Sequence, residues 1–241
     1  MILKSIKYTL IIISTLFSIS AYVYSSTVRS SLIGFSEFRE IESNLYVSPN
    51  IVSTDDQSIA FVISDARSRI SEKFGPPISK PTIIIIKGTK EQKQFELYGA
   101  PGKVLISPFG NYLLLNHELM NVDIAAHELM HTEIAERLGY FTRMSKMPTW
   151  LDEGIALQVD HRPKYTQLKE IDRVEFARVI SLSTPRSFWS ENSEQNIINY
   201  QSAKMAVSRA VLPAIEKNGL YNILEEIRMG ESAEKYVEFK N

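Results

Sequence analysis

The sequence predicts an α+β fold: a small mixed sheet with an edge strand over a central helix, followed by a mainly helical C-terminal lobe. Three observations carry this expectation. Thr82-Ile-Ile-Ile-Ile86 is a continuous β-branched run, the mark of a strand buried on both faces. Val104-Leu-Ile106 and Tyr112-Leu-Leu-Leu115, separated by Ser-Pro-Phe-Gly-Asn, read as a hairpin or two consecutive strands. From Asn121 onward the apolar residues recur mostly at helical spacing.

Taken in chain order, Leu45-Tyr-Val-Ser-Pro49 reads as a short strand ending at a proline. Thr54-Asp-Asp-Gln57 has the pattern of a capping box. After it, Ile59, Val62, Ile63, Ala66, Ile70 and Phe74 mark one helix face before Gly75-Pro-Pro77 stops the run. Behind the strands, helices are expected over about 121–138, 149–158, 167–182 and 200–229, the last broken at Pro213 and Gly219. The hydrophilic stretch Ser187 to Asn199 reads as a loop. No repeat or low-complexity linker divides the chain, so residues 29–241 are expected to form a single domain.

Composition narrows the chemistry. The 241 residues are 44% hydrophobic and 23% charged, too apolar for disorder, and the net charge of −1 supplies no basic field for a nucleic-acid partner. With no cysteine, disulfides, thiolate nucleophiles and iron–sulfur clusters are excluded, and any metal site must use His, Asp or Glu. There are only four histidines, so their positions matter.

Residues 1–28 are set apart from the fold. Lys4 and Lys7 precede an uncharged, largely apolar stretch from Tyr8 to Val28. It reads either as a secretory signal, with Val23 and Ser25 at the −3 and −1 positions, or as an N-terminal membrane anchor through residues 8–28. Both readings export everything after Arg29, to a periplasmic or other extracytoplasmic location. Removal of residues 1–25, with Lys4 and Lys7, would take the net charge from −1 to −3.

The chemistry centres on His127-Glu-Leu-Met-His131. Residues four apart lie one above the other on a helix, so His127 and His131 can offer two imidazole nitrogens to one metal ion. Glu128 projects beside them, within reach of a water without being a ligand. Asn121 is placed as N-cap and Gly139 as the residue just past the helix end. At this composition an accidental match has a probability of roughly 0.6%. A catalytic zinc site takes three protein ligands and keeps one open position, and Glu153, 22 residues after His131 on a second helix entered through Pro148 and Thr149, can supply the third.

The paired histidines followed by Trp150-Leu-Asp-Glu-Gly-Ile-Ala156 resemble the gluzincin metallopeptidases, especially the peptidase MA-like group with its W-L-x-E-G-x-A segment. The resemblance covers about residues 45 to 230 and implies a zincin-like fold. It implies one zinc ion held by His127, His131 and Glu153, with Glu128 as general base. A peptide or protein is the implied substrate. Two departures bear on this. Thermolysin-type enzymes carry an aspartate four residues after the glutamate ligand, where this chain has Leu157; Asp152 and Asp160 are the candidates to orient the histidines instead. The G-x-M-E-N segment of the aminopeptidases is missing, which favours an endopeptidase.

Other residues carry weaker signals. His117 sits in a near-repeat of the motif, His117-Glu-Leu-Met-Asn121, and is expected to be structural at a strand end or loop. His161 reads as a surface loop residue, with oxyanion stabilisation as the alternative. Tyr200 is expected either to donate to the tetrahedral intermediate or simply to pack. Glu133 and Glu136 read as solvated charges, and Trp150 as core. Substrate is expected along an exposed sheet edge, supplied by Val104 to Ile106 or by Tyr112 to Leu115. A noncatalytic zinc-binding or protein-interaction module on the same fold is the alternative to hydrolysis.

Overall fold

The computed structural model describes residues 25–239, together with Tyr8, Ile11, Ser14, Thr15 and Ser18. The leader expected over residues 1–28 therefore lies largely outside the described residues. No helix among the described residues is long and apolar enough to cross a membrane.

The architecture is α+β, as expected, with a five-stranded mixed sheet and a helical C-terminal part. The short helix α1 (Ser25–Ser31) precedes β1 (Arg39–Glu42) and β2 (Leu45–Val47), which form an antiparallel pair turning at Asn44, where φ is +62°. Helix α2 (Asp56–Phe74) leads to β3 (Thr82–Ile86) and the short α3 (Thr89–Gln94), and a hairpin follows, β4 (Gly102–Ser107) and β5 (Gly110–Asn116). The helical part comprises α4 (Val122–Leu138), α5 (Tyr140–Lys146), α6 (Thr149–Ala156), α7 (Arg173–Ile180), α8 (Pro185–Phe188), α9 (Ser193–Ala210), α10 (Leu212–Asn218) and α11 (Leu220–Met229).

Strand order is β1-β2-β3-β5-β4, with β3 parallel to both its neighbours. The four isoleucines of β3 explain the layering. Ile83 and Ile85 face the main core with Leu113, Leu115 and the helices, while Ile84 and Ile86 face a second, smaller core with Leu114, Phe95, Leu97 and Ile33. A strand covered on both faces has no use for alternation, hence the unbroken run.

Several expectations are corrected. Tyr112 to Leu115 is not an edge: β5 is paired on both sides, and the edge beside α4 is β4 alone. The capping box does not form. A 3₁₀ turn, Ser53–Asp55, runs straight into α2 with Asp55 already in the helical region, so no side chain caps that end. The region 167–182 is helical only over Arg173–Ile180. Ser187 to Asn199 is not one loop, because α9 begins at Ser193, where Asn192 Oδ1 accepts from the backbone N–H groups of Glu194 and Gln195. That helix opens with polar turns, which hid it from a search for apolar periodicity. The breaks near Pro213 and at Gly219 do separate α9, α10 and α11.

Glu133 is also not solvated. Fully buried, it accepts from the backbone N–H groups of Ile78 (2.9 Å) and Ser79 (2.8 Å) and from Arg137 Nε (2.5 Å). It fastens the segment leading into β3 to the motif helix. Glu136 is exposed and Trp150 is core, as read.

Candidate metal centre

Helix α4 begins where Asn121 Oδ1 accepts from the N–H of Ile124 (3.0 Å) and ends at Gly139, whose φ of +74° only glycine adopts freely. Between these ends most of the helix is core, so its few inward polar groups are costly unless partnered. Helix α6 is entered at Pro148, and the N–H groups of Thr149 and Trp150 donate to Ser183 O and Leu182 O. All eight of its residues are buried. The glycine of the Glu-Gly pair has a packing reason: a Cβ on Gly154 would lie 2.6 Å from Ala203 O and 2.5 Å from Val207 Cγ2. Only glycine lets α9 approach this closely, and α9 carries Tyr200.

The two helices bring His127, His131 and Glu153 together, all buried and positioned to bind one metal ion. His127 Nε2 lies 3.2 Å from His131 Nε2, and Glu153 Oε2 lies 3.3 Å from the first and 3.5 Å from the second. Ligands about 2.0–2.1 Å from a tetrahedral ion stand about 3.3 Å apart, which matches all three separations.

Groups behind the imidazoles determine which nitrogen faces forward. His131 Nδ1 donates to Asp152 Oδ1 at 3.0 Å, and Asp152 Oδ2 is held by Arg143. His127 Nδ1 faces Asp160 Oδ2 at 3.4 Å, and Asp160, fully buried, is gripped by Arg162 through Nε (3.0 Å to each oxygen) and Nη2 (2.5 Å). His131 Nδ1 is bonded to its carboxylate, while His127 Nδ1 lies near Asp160 without making a hydrogen bond; a proton on each Nδ1, the side that faces a carboxylate, leaves each Nε2 lone pair turned toward the other and toward Glu153. Glu153 Oε2 is buried and has no hydrogen-bond donor. Three electron-rich atoms this close repel one another unless positive charge lies among them.

The same demand appears in the ionisation of the cluster. Burial alone lowers an imidazole pKa, yet that of His131 is raised well above its ordinary value because Glu153 and Asp152 face it. That of His127 is raised against the same burial by Asp160 and Glu153. Burial would raise the Glu153 carboxyl, but the two histidines hold it well below the usual carboxylate range.

Glu128 lies on the same helix but outside the triad, half-buried and lining the cleft that opens over it. No group among the described residues hydrogen-bonds its carboxylate, and desolvation raises its pKa. It packs under the first residue of the edge strand: a Cβ on Gly102 would stand 2.8 Å from Glu128 Cγ. Tyr200 also lines the cleft, its ring centroid 6.4 Å from that of His127. His117 follows β5, its Nε2 3.4 Å from Asp55, and His161 is exposed with its backbone N–H on Asp123; neither joins the cluster.

The site contains residues the sequence reading missed. Arg143 and Arg162 hold the two carboxylates, and Trp189 forms part of the cleft wall. Arg162 could have been noticed two residues after Asp160, but nothing in the sequence marks Arg143 or Trp189. The orienting carboxylates themselves are the two candidates named from sequence, one residue before and seven after Glu153, which answers the question posed by Leu157.

Changing Asp152 to Asn is expected to weaken metal affinity by about 10–100-fold, since the amide neither enforces the His131 tautomer nor neutralises Arg143. Competition with a chromophoric chelator measures this. Unchanged affinity would show that the helix alone orients His131.

In comparisons with known proteins, the chain matches no protein-family model and no curated protein.

Proposed function

We propose that the protein is a gluzincin-type zinc metallopeptidase, an endopeptidase hydrolysing peptide bonds outside the cytoplasmic membrane. The observation that carries this reading is the placement of Glu128 between the His127–His131–Glu153 triad and an unpaired strand edge. A donor set of two imidazole nitrogens and one carboxylate oxygen, spaced for a tetrahedron, suits zinc. The ion, when bound, supplies Lewis acidity that polarises a carbonyl and makes water nucleophilic near neutral pH.

The chain's own residues supply the rest. Asn116 N–H donates to Pro101 O, and in the register Gly102↔Leu115 the hydrogen-bonded pairs then fall at 103, 105 and 107. The N–H and C=O groups of Gly102, Val104 and Ile106 are therefore directed to the open edge, where an extended peptide can add as a further strand. This positions a scissile bond over the triad. Glu128, free of other partners and shifted toward neutrality by burial, takes the proton from the attacking water and passes it to the leaving amine. Tyr200 donates a hydrogen bond from its hydroxyl to the oxyanion and keeps its proton. Export rests on Lys4, Lys7 and the apolar stretch after them.

The expected outcome of metal analysis on the purified full chain is about one zinc per chain, with hydrolysis of fluorescein-labelled casein that a chelator abolishes and added zinc restores. Zinc at that stoichiometry without hydrolysis of casein or of a mixed peptide library would instead identify a noncatalytic zinc-binding module.

A further inference from the structure

Tyr200 is held in place from several sides. Its ring sits against Phe188 (centroids 5.2 Å, edge-on) and Tyr165 (5.2 Å, tilted). Its hydroxyl oxygen accepts the indole N–H of Trp189 at 2.9 Å. A phenol oxygen that is already accepting retains its own proton to give, and among the described residues nothing accepts it. Tyr200 lines the cleft, so this unused donor is available to a molecule bound there.

The Trp189 side of this contact is organised by the helix that carries Tyr200. Asn199, buried on α9, donates through Nδ2 to Phe188 O at 2.6 Å, and its Oδ1 accepts from Arg178 Nη1 (2.8 Å) and Gln195 Nε2 (3.0 Å). Asn196, one turn from Tyr200, accepts the Ser190 N–H at 2.7 Å and donates to Ser190 O at 2.9 Å. The residues before and after Trp189 are thus both clamped to α9, and the indole has little freedom to leave the phenol. Trp189 is nevertheless 44% exposed, its other face forming cleft wall. A tryptophan kept for core packing would bury that surface and would not need its N–H at this one oxygen.

We propose that Trp189 is a positioning residue for the reaction: its indole N–H, clamped by Asn196 and Asn199, fixes the Tyr200 phenol so that the hydroxyl proton is presented to the substrate oxyanion. This rests on the peptidase reading and deepens it. Orientation of a single donor matters because oxyanion stabilisation works only when the donor is aimed before charge develops.

The test is a double-mutant cycle in the zinc-loaded full chain, with a quenched fluorescent peptide as substrate and Glu128→Gln as the inactive reference. Tyr200→Phe is expected to lower kcat by about 100-fold and Trp189→Phe, which keeps an aromatic wall, by about tenfold, with KM nearly unchanged in both. In the Tyr200→Phe background, Trp189→Phe is expected to cost nothing further. Independently of turnover, the ultraviolet resonance Raman difference between wild type and Tyr200→Phe should show one of the two tryptophans losing an N–H hydrogen bond. Additive losses, a Trp189→Phe effect confined to KM, or an unchanged Raman spectrum would each overturn the assignment of Trp189 and leave the peptidase reading intact. Wild type no faster than Glu128→Gln would overturn that reading, and this inference with it.

Discussion

Replacing Glu128 with glutamine is expected to lower hydrolysis by about 10²–10⁴-fold while leaving zinc stoichiometry at about one per chain. The amide has nearly the shape of the carboxylate, so it fits the same space beneath Gly102, where there is no room for a Cβ. It cannot take a proton from water, and it removes no ligand, because Glu128 stands outside the triad. The two readouts therefore separate: metal content reports the site, and casein or peptide turnover reports the base. Undiminished turnover would transfer the base role to another group. Loss of zinc would show that Glu128 is itself a ligand.

Changing Glu153 to Ala should produce the opposite pattern. Two histidines without the carboxylate leave an incomplete donor set, and zinc content after dialysis is expected to fall from about one per chain to near zero, with activity lost as a result. Neither neighbouring carboxylate can take over, because Asp152 is committed to His131 Nδ1 and Arg143, and Asp160 to His127 Nδ1 and Arg162. Melting temperature gives a second check. An ion that binds only the folded state stabilises it by about 4 kcal/mol when present at 1,000 times its Kd, so the wild type should melt lower in chelator and the variant should not respond. Full occupancy in the variant would refute Glu153 as the third ligand.

The metal cluster was legible because its rule is local. Two histidines four residues apart share a helix face whatever surrounds them, and Asn121 and Gly139 bound that helix as read. Glu153 came from a motif rather than from geometry; spacing alone does not say that α6 crosses α4. The isoleucine run of β3 likewise carried its own evidence of burial on both faces. By contrast, the anchoring role of Glu133 and the choice between two candidate edges are tertiary facts, while the start of α9 is locally capped by Asn192 but hidden from apolar periodicity by its polar first turns. Glu133 shows why. On the helix it is one more charge, and only the arrival of Ile78 and Ser79, 55 and 54 positions away, makes it a buried acceptor.

By itself, then, the sequence determined the donor chemistry of the site. Having no cysteine left nitrogen and oxygen ligands, helical spacing paired two of four histidines, and apolar periodicity made the helix that bears them part of the core. Tertiary structure decided how those donors are aimed. Asp152 on His131, Asp160 on His127 and Gly102 above Glu128 join residues 21, 33 and 26 positions apart, while Arg143 on Asp152 and Trp189 on Tyr200 meet across 9 and 11 positions through turns between separate helices. Local periodicity has a strong signature because each residue repeats it. A single long-range contact between two polar side chains leaves none, since its energy depends on where the chain returns and not on what lies beside it in sequence.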